Sequence, residues 1–283
     1  MRVLLLYTDA PWYEGMGYDA AWRAALEAEG ATVEQLPRAP ERWYREGPPA
    51  RELDLVIAHV LAEEVVGTGE TLRAAALLET AGAPLLNPVA ALVASADKLA
   101  THAVWAAAGV PQPRTWALEH LAAWPVPDGE LVVKPNWGDG ARGIATARTL
   151  EEARQHASGD EALVQERAAE PDVIRIFATP DAASRAYEKH REPGELLTHG
   201  TTYPREYDPP DDLARLARRM VATLGGGLMG VDVLRDADGE LWALEANGPF
   251  GFDVTDPAQG RWVARAALDR AERRAQARRA AAA

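Results

Sequence analysis

The chain has 283 residues, 47% of them hydrophobic and 26% charged, with no cysteine. This excludes a disordered or collagen-like chain, and the missing thiols remove disulfides, thiolate nucleophiles and thiolate metal sites together. Its 30 Lys plus Arg against 43 Asp plus Glu leave a net charge of −13, which argues against nucleic acid or an anionic membrane as the main partner. The first apolar run, Val3–Leu6, is too short for a signal-peptide core. The longest apolar region, Ala74–Ala96, is interrupted by Glu79, Pro84 and Pro88 and predicts no membrane span. A protein of the cytoplasm is expected.

In chain order, Arg2–Tyr7 has a buried-strand pattern and Tyr18–Glu29 an amphipathic helical one, stopped by Gly30. Thr32–Leu36 and Asp54–Ala58 predict strands, Gly69–Ala81 a helix ended by Gly82, and Pro84–Leu86 a short strand. Such alternation buries a parallel sheet between helices, so residues 1–90 are expected to form a small doubly wound α/β domain. A helix is expected from about Ala96 to Ala108, with Asp97 as its cap, Gly109 past its end and Pro111 preventing continuation. Beyond it, Leu131–Pro135, Ala162–Glu166 and Val173–Ala178 predict strands, Glu151–Ala157 and Leu213–Leu224 helices. A hairpin of Leu228–Arg235 and Glu240–Asn247 turns at Asp236-Ala237-Asp238-Gly239. From residue 90 onward the order is antiparallel α+β. The tail Arg261–Ala283 holds seven Arg against Asp269 and Glu272. It reads either as a terminal helix with a solvated face or as a basic arm for an acidic partner.

The hairpin carries the strongest chemical signal. With Arg235 facing Glu240, Asp232 falls opposite Ala243, and Glu245 and Asn247 share its face. Val231, Val233, Trp242 and Leu244 take the other. Two carboxylates and an amide thus gather in an otherwise apolar ribbon, where like charges repel and burial raises their pKa values. A divalent cation removes the conflict, and oxygen-only ligands select Mg²⁺ or Mn²⁺ over Zn²⁺. The alternative is a solvent-facing polar side of an edge hairpin.

Lys134 leads into the loop Asn136-Trp137-Gly138-Asp139-Gly140-Ala141-Arg142-Gly143. Its glycines let backbone N–H groups approach a phosphate, although a plain hairpin turn with a surface lysine has the same composition. Lys98 lies in the first turn of its helix, where the helix dipole disfavours a cation unless an anion faces it. Gly15-Met16-Gly17-Tyr18-Asp19-Ala20 matches the dinucleotide pattern G-x-G-x-x-A, but it starts well after the strand ending at Tyr7. The histidines His59, His102, His120, His156, His190 and His199 show no zinc-ligand spacing.

Taken in order, Asp97-Lys98 with Gly109-Val110-Pro111, Val133-Lys134-Pro135 with its glycine loop, Val164-Gln165-Glu166, and Val231-Asp232-Val233 through Glu245-Ala246-Asn247 resemble the ATP-grasp superfamily. The nearest resemblance is to the RimK-like carboxylate–amine ligases, which include LysX-type enzymes. It implies an N-terminal pre-ATP-grasp domain over 1–90, a lid subdomain over 91–160 and a C-terminal subdomain with the metal site over 161–283. It also implies that Lys98 and Lys134 hold ATP phosphates, with Gly138, Gly140 and Gly143 above them. Gln165, Glu166, Arg167 and Ala168 resemble the adenine hinge, and Asp232, Glu245 and Asn247 the ligands of two Mg²⁺ (or Mn²⁺) ions. Arg175 resembles an arginine beside the reaction centre.

Several positions depart from the family pattern. Asp172-Val173-Ile174-Arg175 is one residue longer than the usual D-I-R, at the place of a ribose-binding aspartate. Lys189 stands where relatives carry an arginine, and Thr198-His199 where they carry Ser-Asn beside the phosphates. Gly248-Pro249-Phe250-Gly251-Phe252 is a shifted N-x-x-P-G. The implied activity is ATP-dependent amide formation through an acylphosphate, with small-molecule or peptide acid and amine substrates or a carrier protein, and with a dimer or tetramer as the family's habit. A non-catalytic ATP-binding regulator and a kinase on the same scaffold are the alternatives. The segments Trp12–Tyr18 and Lys189–Tyr207 are expected to select the substrate.

Overall fold

The computed structural model describes residues 1–7, 18–59, 65–123, 129–138, 142–157, 161–168, 172–189, 203, 205–248, 250–253 and 255–282. The first elements are β1 (Arg2–Leu6), α1 (Tyr18–Ala28), β2 (Thr32–Leu36), the single-turn α2 (Trp43–Glu46), β3 (Leu55–Ala58) and α3 (Val65–Thr80). Their strands form a parallel sheet in the order β2-β1-β3. Val3 to Leu6 are each 1% exposed, because a central parallel strand is covered on both faces. Leu4 and Leu6 pack with Val56 and Leu78, and Val3 and Leu5 with Trp22 and Leu26. The strand expected at Pro84–Leu86 reduces to a single parallel bridge, Val56 to Leu85.

Two helices follow, α4 (Val89–Ala96) and α5 (Lys98–Ala107). Asp97 caps α5 as expected, its Oδ1 accepting from the Ala100 N–H at 2.9 Å. The next elements are β4 (Thr115–Ala117), β5 (Leu131–Pro135), β6 (Ala145–Ala147), α6 (Leu150–His156) and β7 (Ala162–Glu166). They build an antiparallel sheet in the order β4-β7-β5-β6. The segment 162–166, placed by sequence with the region after 160, therefore lies in this sheet: Val133 pairs with Val164, and both fill its core.

The remainder comprises β8 (Asp172–Ala178), β9 (Ala183–Glu188), β10 (Arg205–Tyr207), α7 (Asp211–Thr223), β11 (Met229–Arg235), β12 (Leu241–Asn247) and α8 (Pro257–Ala282). Its sheet is antiparallel, ordered β10-β9-β8-β11-β12. On α7, Leu213, Leu216, Ala217, Met220 and Val221 are buried at helical spacing and cover Ile174, Ile176, Val231 and Val233 on one face of the sheet. Each such burial contributes about 1.5–3 kcal/mol for a large aliphatic side chain. That leaves the opposite face for chemistry. The terminal helix α8 packs Val263, Ala264 and Ala267 against Trp22 and Leu26, and Arg265 bonds Glu29 at 2.8 Å. The tail is thus a docked helix, with part of its arginine content used internally. Among the described residues no helix is long and apolar enough to cross a membrane.

Candidate active site

Four side chains form a row across the free face of the five-stranded sheet. Tyr187 on β9 pairs with Arg175 on β8, Arg175 with Asp232 on β11, and Asp232 with Glu245 on β12. The pairing differs from the expected one. Arg235 faces Leu241 rather than Glu240, and an irregularity after Asp232 sets it directly opposite Glu245, with Leu244 as the extra residue. The shift at the turn sets Ala243 rather than Trp242 opposite Val233, and the bulge sets Ala246 opposite Val231, so both alanines join the core. Trp242, expected in that core, is partly buried and donates to Asp236 Oδ2 at 3.0 Å; Leu244 is likewise only partly buried. Gly230 admits this row, since a Cβ there would lie 2.9 Å from Arg175 Nη1 and 3.0 Å from Phe250 Cβ.

Asp232 is 1% exposed. Arg175 donates to it twice, Nε to Oδ1 at 2.6 Å and Nη2 to Oδ2 at 3.0 Å, and Lys189 Nζ donates to Oδ2 at 2.8 Å. Burial alone would raise this carboxyl's pKa, but the two cations and their hydrogen bonds hold it below the usual carboxylate range. Burial likewise works against the Arg175 charge, and Asp232 more than restores it, so the guanidinium is held above its ordinary value. The like-charge conflict expected between Asp232 and Glu245 is thus relieved by Arg175 and Lys189.

Both expected phosphate lysines converge on the carboxylate end of the row. Lys98 Nζ is 3.9 Å from Glu245 Oε1 and donates to the Gly138 carbonyl at 2.6 Å. Asn136 ties the glycine loop to the start of α5, its Oδ1 accepting from the Leu99 N–H at 2.8 Å. Gly143 has a φ of +70°, a left-handed conformation that favours glycine. Lys134 Nζ donates to Gln165 Oε1 at 2.6 Å. Burial lowers the Lys134 pKa to about 8; Glu245 and Asp232 oppose that shift, and Lys98 adds to it.

The oxygen donors suit a hard divalent cation. Among the described residues no three His, Cys, Asp or Glu gather at metal-binding range; the expected set is two carboxylates and one amide, Asp232, Glu245 and Asn247, on the paired strands β11 and β12. Gly230 pairs with Asn247 at the same end of the ribbon. The Asn247 Nδ2 is buried without a hydrogen-bond partner among the described residues, and Glu245 remains partly exposed. The oxygen of that amide, with the two carboxylates, makes a donor set of the kind that suits Mg²⁺ or Mn²⁺, whereas its Nδ2 is a hydrogen-bond donor and holds no cation.

The expected hinge residues divide between the site and the surface. Gln165 is 2% exposed and points inward, whereas Glu166 pairs with Arg114 and Arg167 with Glu130. The N–H groups of Glu166 and Arg167 are committed to the carbonyls of Arg114 and Glu130, at 3.1 Å each. Ala168 closes this turn, partly buried. Asp172 points to the opposite face from Arg175 and bonds Arg235 at 2.7 Å, apart from the lysines. Gly140 and His199 lie outside the described residues, as do most of the two expected substrate-selecting segments. His102, which has no metal-ligand spacing in the sequence, is drawn into the site. It sits one helical turn after Lys98 and meets Gln165 at 2.7 Å. That i, i+4 spacing was its only signal.

No family model matches the sequence. The fold is the ATP-grasp fold. A D-cycloserine synthetase, DcsG, superposes with a TM-score of 0.71 at 20% identity, covering 96% of this chain and all of that one. The ATP-grasp ligase PsnB, solved with a minimal precursor, Mg and ADP, does so with a TM-score of 0.69 at 18% identity, over 95% of this chain and 97% of its own. In sequence, a probable alpha-L-glutamate ligase 2 of Hahella chejuensis is 28% identical over 249 residues, 82% of this chain and 80% of the relative. The alpha-aminoadipate–LysW ligase LysX of Saccharolobus solfataricus is 27% identical over 193 residues, 61% of this chain and 68% of the relative. In sequence the chain is thus similar to a glutamate ligase and to an aminoadipate–LysW ligase, and in fold to ATP-grasp ligases.

Proposed function

We propose that the chain activates a carboxyl group with ATP and joins it to an amine, with an amino acid or peptide on at least one side of the new bond. One observation carries this reading: Lys98 and Lys134, cations suited to a triphosphate, converge on the carboxylate end of the Tyr187–Arg175–Asp232–Glu245 row. The substrate carboxylate oxygen attacks the γ-phosphorus, the bond to the bridging oxygen breaks, and ADP leaves. The amine nitrogen then attacks the acyl carbon, and phosphate departs carrying the former carboxylate oxygen.

Catalysis of the first step is charge neutralisation and alignment. In this proposal Lys98, Lys134 and the backbone of Gly138, Gly140 and Gly143 hold phosphate oxygens, with His199 beside them, and the hinge Gln165–Ala168 seats the base. Arg175 and Lys189 face the reacting carboxyl group and steady the oxyanion that forms as the amine adds. Asp232, Glu245 and Asn247 would hold Mg²⁺, two ions in this reading, whose charge offsets that of the triphosphate. Asp172, engaged by Arg235, has no part in it. The names of the glutamate and aminoadipate ligases support an amino-acid substrate, and the precursor-bound PsnB supports a peptide or carrier-borne one. A phosphate-release screen with Mg-ATP, offering amino acids singly and in pairs, tests the proposal. Release that needs both an acid and an amine is expected. Release with one substrate and a stable phosphorylated product would make the chain a kinase instead.

A further inference from the structure

We infer that His102 is a positioning residue for this reaction: through Gln165 it aims the Lys134 ammonium at the place where the triphosphate binds. The inference rests on the ligase reading above, and it follows from counting donors and acceptors. Two backbone carbonyls, which can only accept, fix the directions of Gln112 and Thr115, and the Leu244 backbone also meets the imidazole. Gln112 Nε2 donates to the His102 carbonyl at 2.7 Å, so Gln112 Oε1 faces the imidazole Nδ1 at 2.5 Å and requires the proton there. His102 Nε2 is then an acceptor, and it takes one amide hydrogen of Gln165 at 2.7 Å. Thr115 Oγ1 donates to the Pro113 carbonyl at 3.0 Å, leaving a lone pair for the second amide hydrogen of Gln165 at 2.9 Å. With both hydrogens taken, Gln165 Oε1 can point only at Lys134 Nζ, 2.6 Å away.

This device orients a cation without neutralising it. A carboxylate at position 165 would hold Lys134 as firmly but cancel the charge that a phosphate needs. A protonated His102 would present a donor to a donor, turn the amide over and set a second positive charge beside Lys134. Burial keeps the imidazole neutral, with Lys134 and Lys98 reinforcing it.

The test is a double-mutant cycle on the full chain, reading equilibrium affinity for Mg²⁺ with a non-hydrolysable ATP analogue. His102→Leu should weaken binding roughly tenfold, as loss of an oriented hydrogen bond to a charged group does. His102→Gln, whose Oε1 replaces the Nε2 acceptor, should recover most of that loss. In a Lys134→Met background the same His102→Leu should change affinity less than about twofold, because its target is gone. Equal losses in both backgrounds would overturn the inference and leave His102 a packing residue. Thr115→Val, a near-isosteric change at a partly buried strand position, repeats the cycle from the other hydrogen if His102→Leu does not fold. An unmodified chain that binds no analogue would strike down the ligase reading itself, and this inference with it.

Discussion

In the five-stranded sheet, Arg175 and Lys189 share the carboxylate of Asp232, whereas in the four-stranded sheet Lys134 meets the neutral amide of Gln165. Both arrangements hold buried polar groups with short, directed hydrogen bonds, and they differ in what they leave over. The first offsets charge against charge, so its stability depends on every member being present. The second orients an ammonium through a neutral amide and leaves its positive charge for an incoming anion. The proposed site, with a metal, an acid and a triphosphate, draws on both kinds of support.

The largest effect separating the two regions is catalytic. Glu245→Ala removes the partly exposed carboxylate of the charged row, and ADP formation should fall by about a thousandfold while the thermal midpoint stays within a few degrees of the unmodified chain. Unchanged turnover would refute its metal role. Arg175→Met strips a buried carboxylate of its bidentate partner and should cost about 3–5 kcal/mol in denaturant unfolding. The double change Arg175→Met with Asp232→Leu should recover much of that stability and none of the activity.

On the neutral side the expected effects are smaller. The His102 imidazole, ordinarily near 6.5, has its pKa lowered to about 4 by burial. Between those values the unfolded chain binds a proton that the folded chain does not, so stability falls as pH drops through that window. It is fully restored above 6.5. His102→Gln should flatten this dependence by on the order of 3 kcal/mol at most, read from denaturant midpoints at pH 7 and pH 4.5. Gln165→Glu converts the neutral support into a charged one, and nucleotide affinity should drop roughly tenfold. The smallest effect is at the helix cap: Asp97→Ala should cost about 1 kcal/mol in thermal unfolding.

What could be read in advance followed from pattern length. Arg2–Tyr7, Leu131–Pro135 and Ala162–Glu166 carry apolar runs that show as strands, Thr32–Leu36 shows despite Glu34 and Gln35, and strands form at all four. The strand Ala183–Glu188 could not be seen, because Ser184, Arg185 and Glu188 break the apolar run of Ala183, Ala186 and Tyr187, which pack against two different cores. Three-residue strands such as Thr115–Ala117 and Ala145–Ala147 are too short for alternation to register. In the hairpin the face shared by Asp232 and Glu245 was legible, but its register was not. A bulge at Leu244 leaves no mark in residue type, and together with the one-residue shift at the turn it makes a diagonal pair a direct one. The ion pairs of Arg175 and Lys189 with Asp232, and the relay from Gln112 to Lys134, join residues far apart in the chain, where local periodicity carries no information.

The central claim is that a carboxylate attacks ATP and gives up one oxygen to the phosphate that leaves. The most direct measurement uses an acid substrate, identified by phosphate release, with ¹⁸O in its carboxylate, together with amine and Mg-ATP, and weighs the inorganic phosphate formed. Transfer of one ¹⁸O per turnover, with an amide as the other product, is the predicted result. Phosphate free of the label, or release that proceeds equally without the amine, would contradict it.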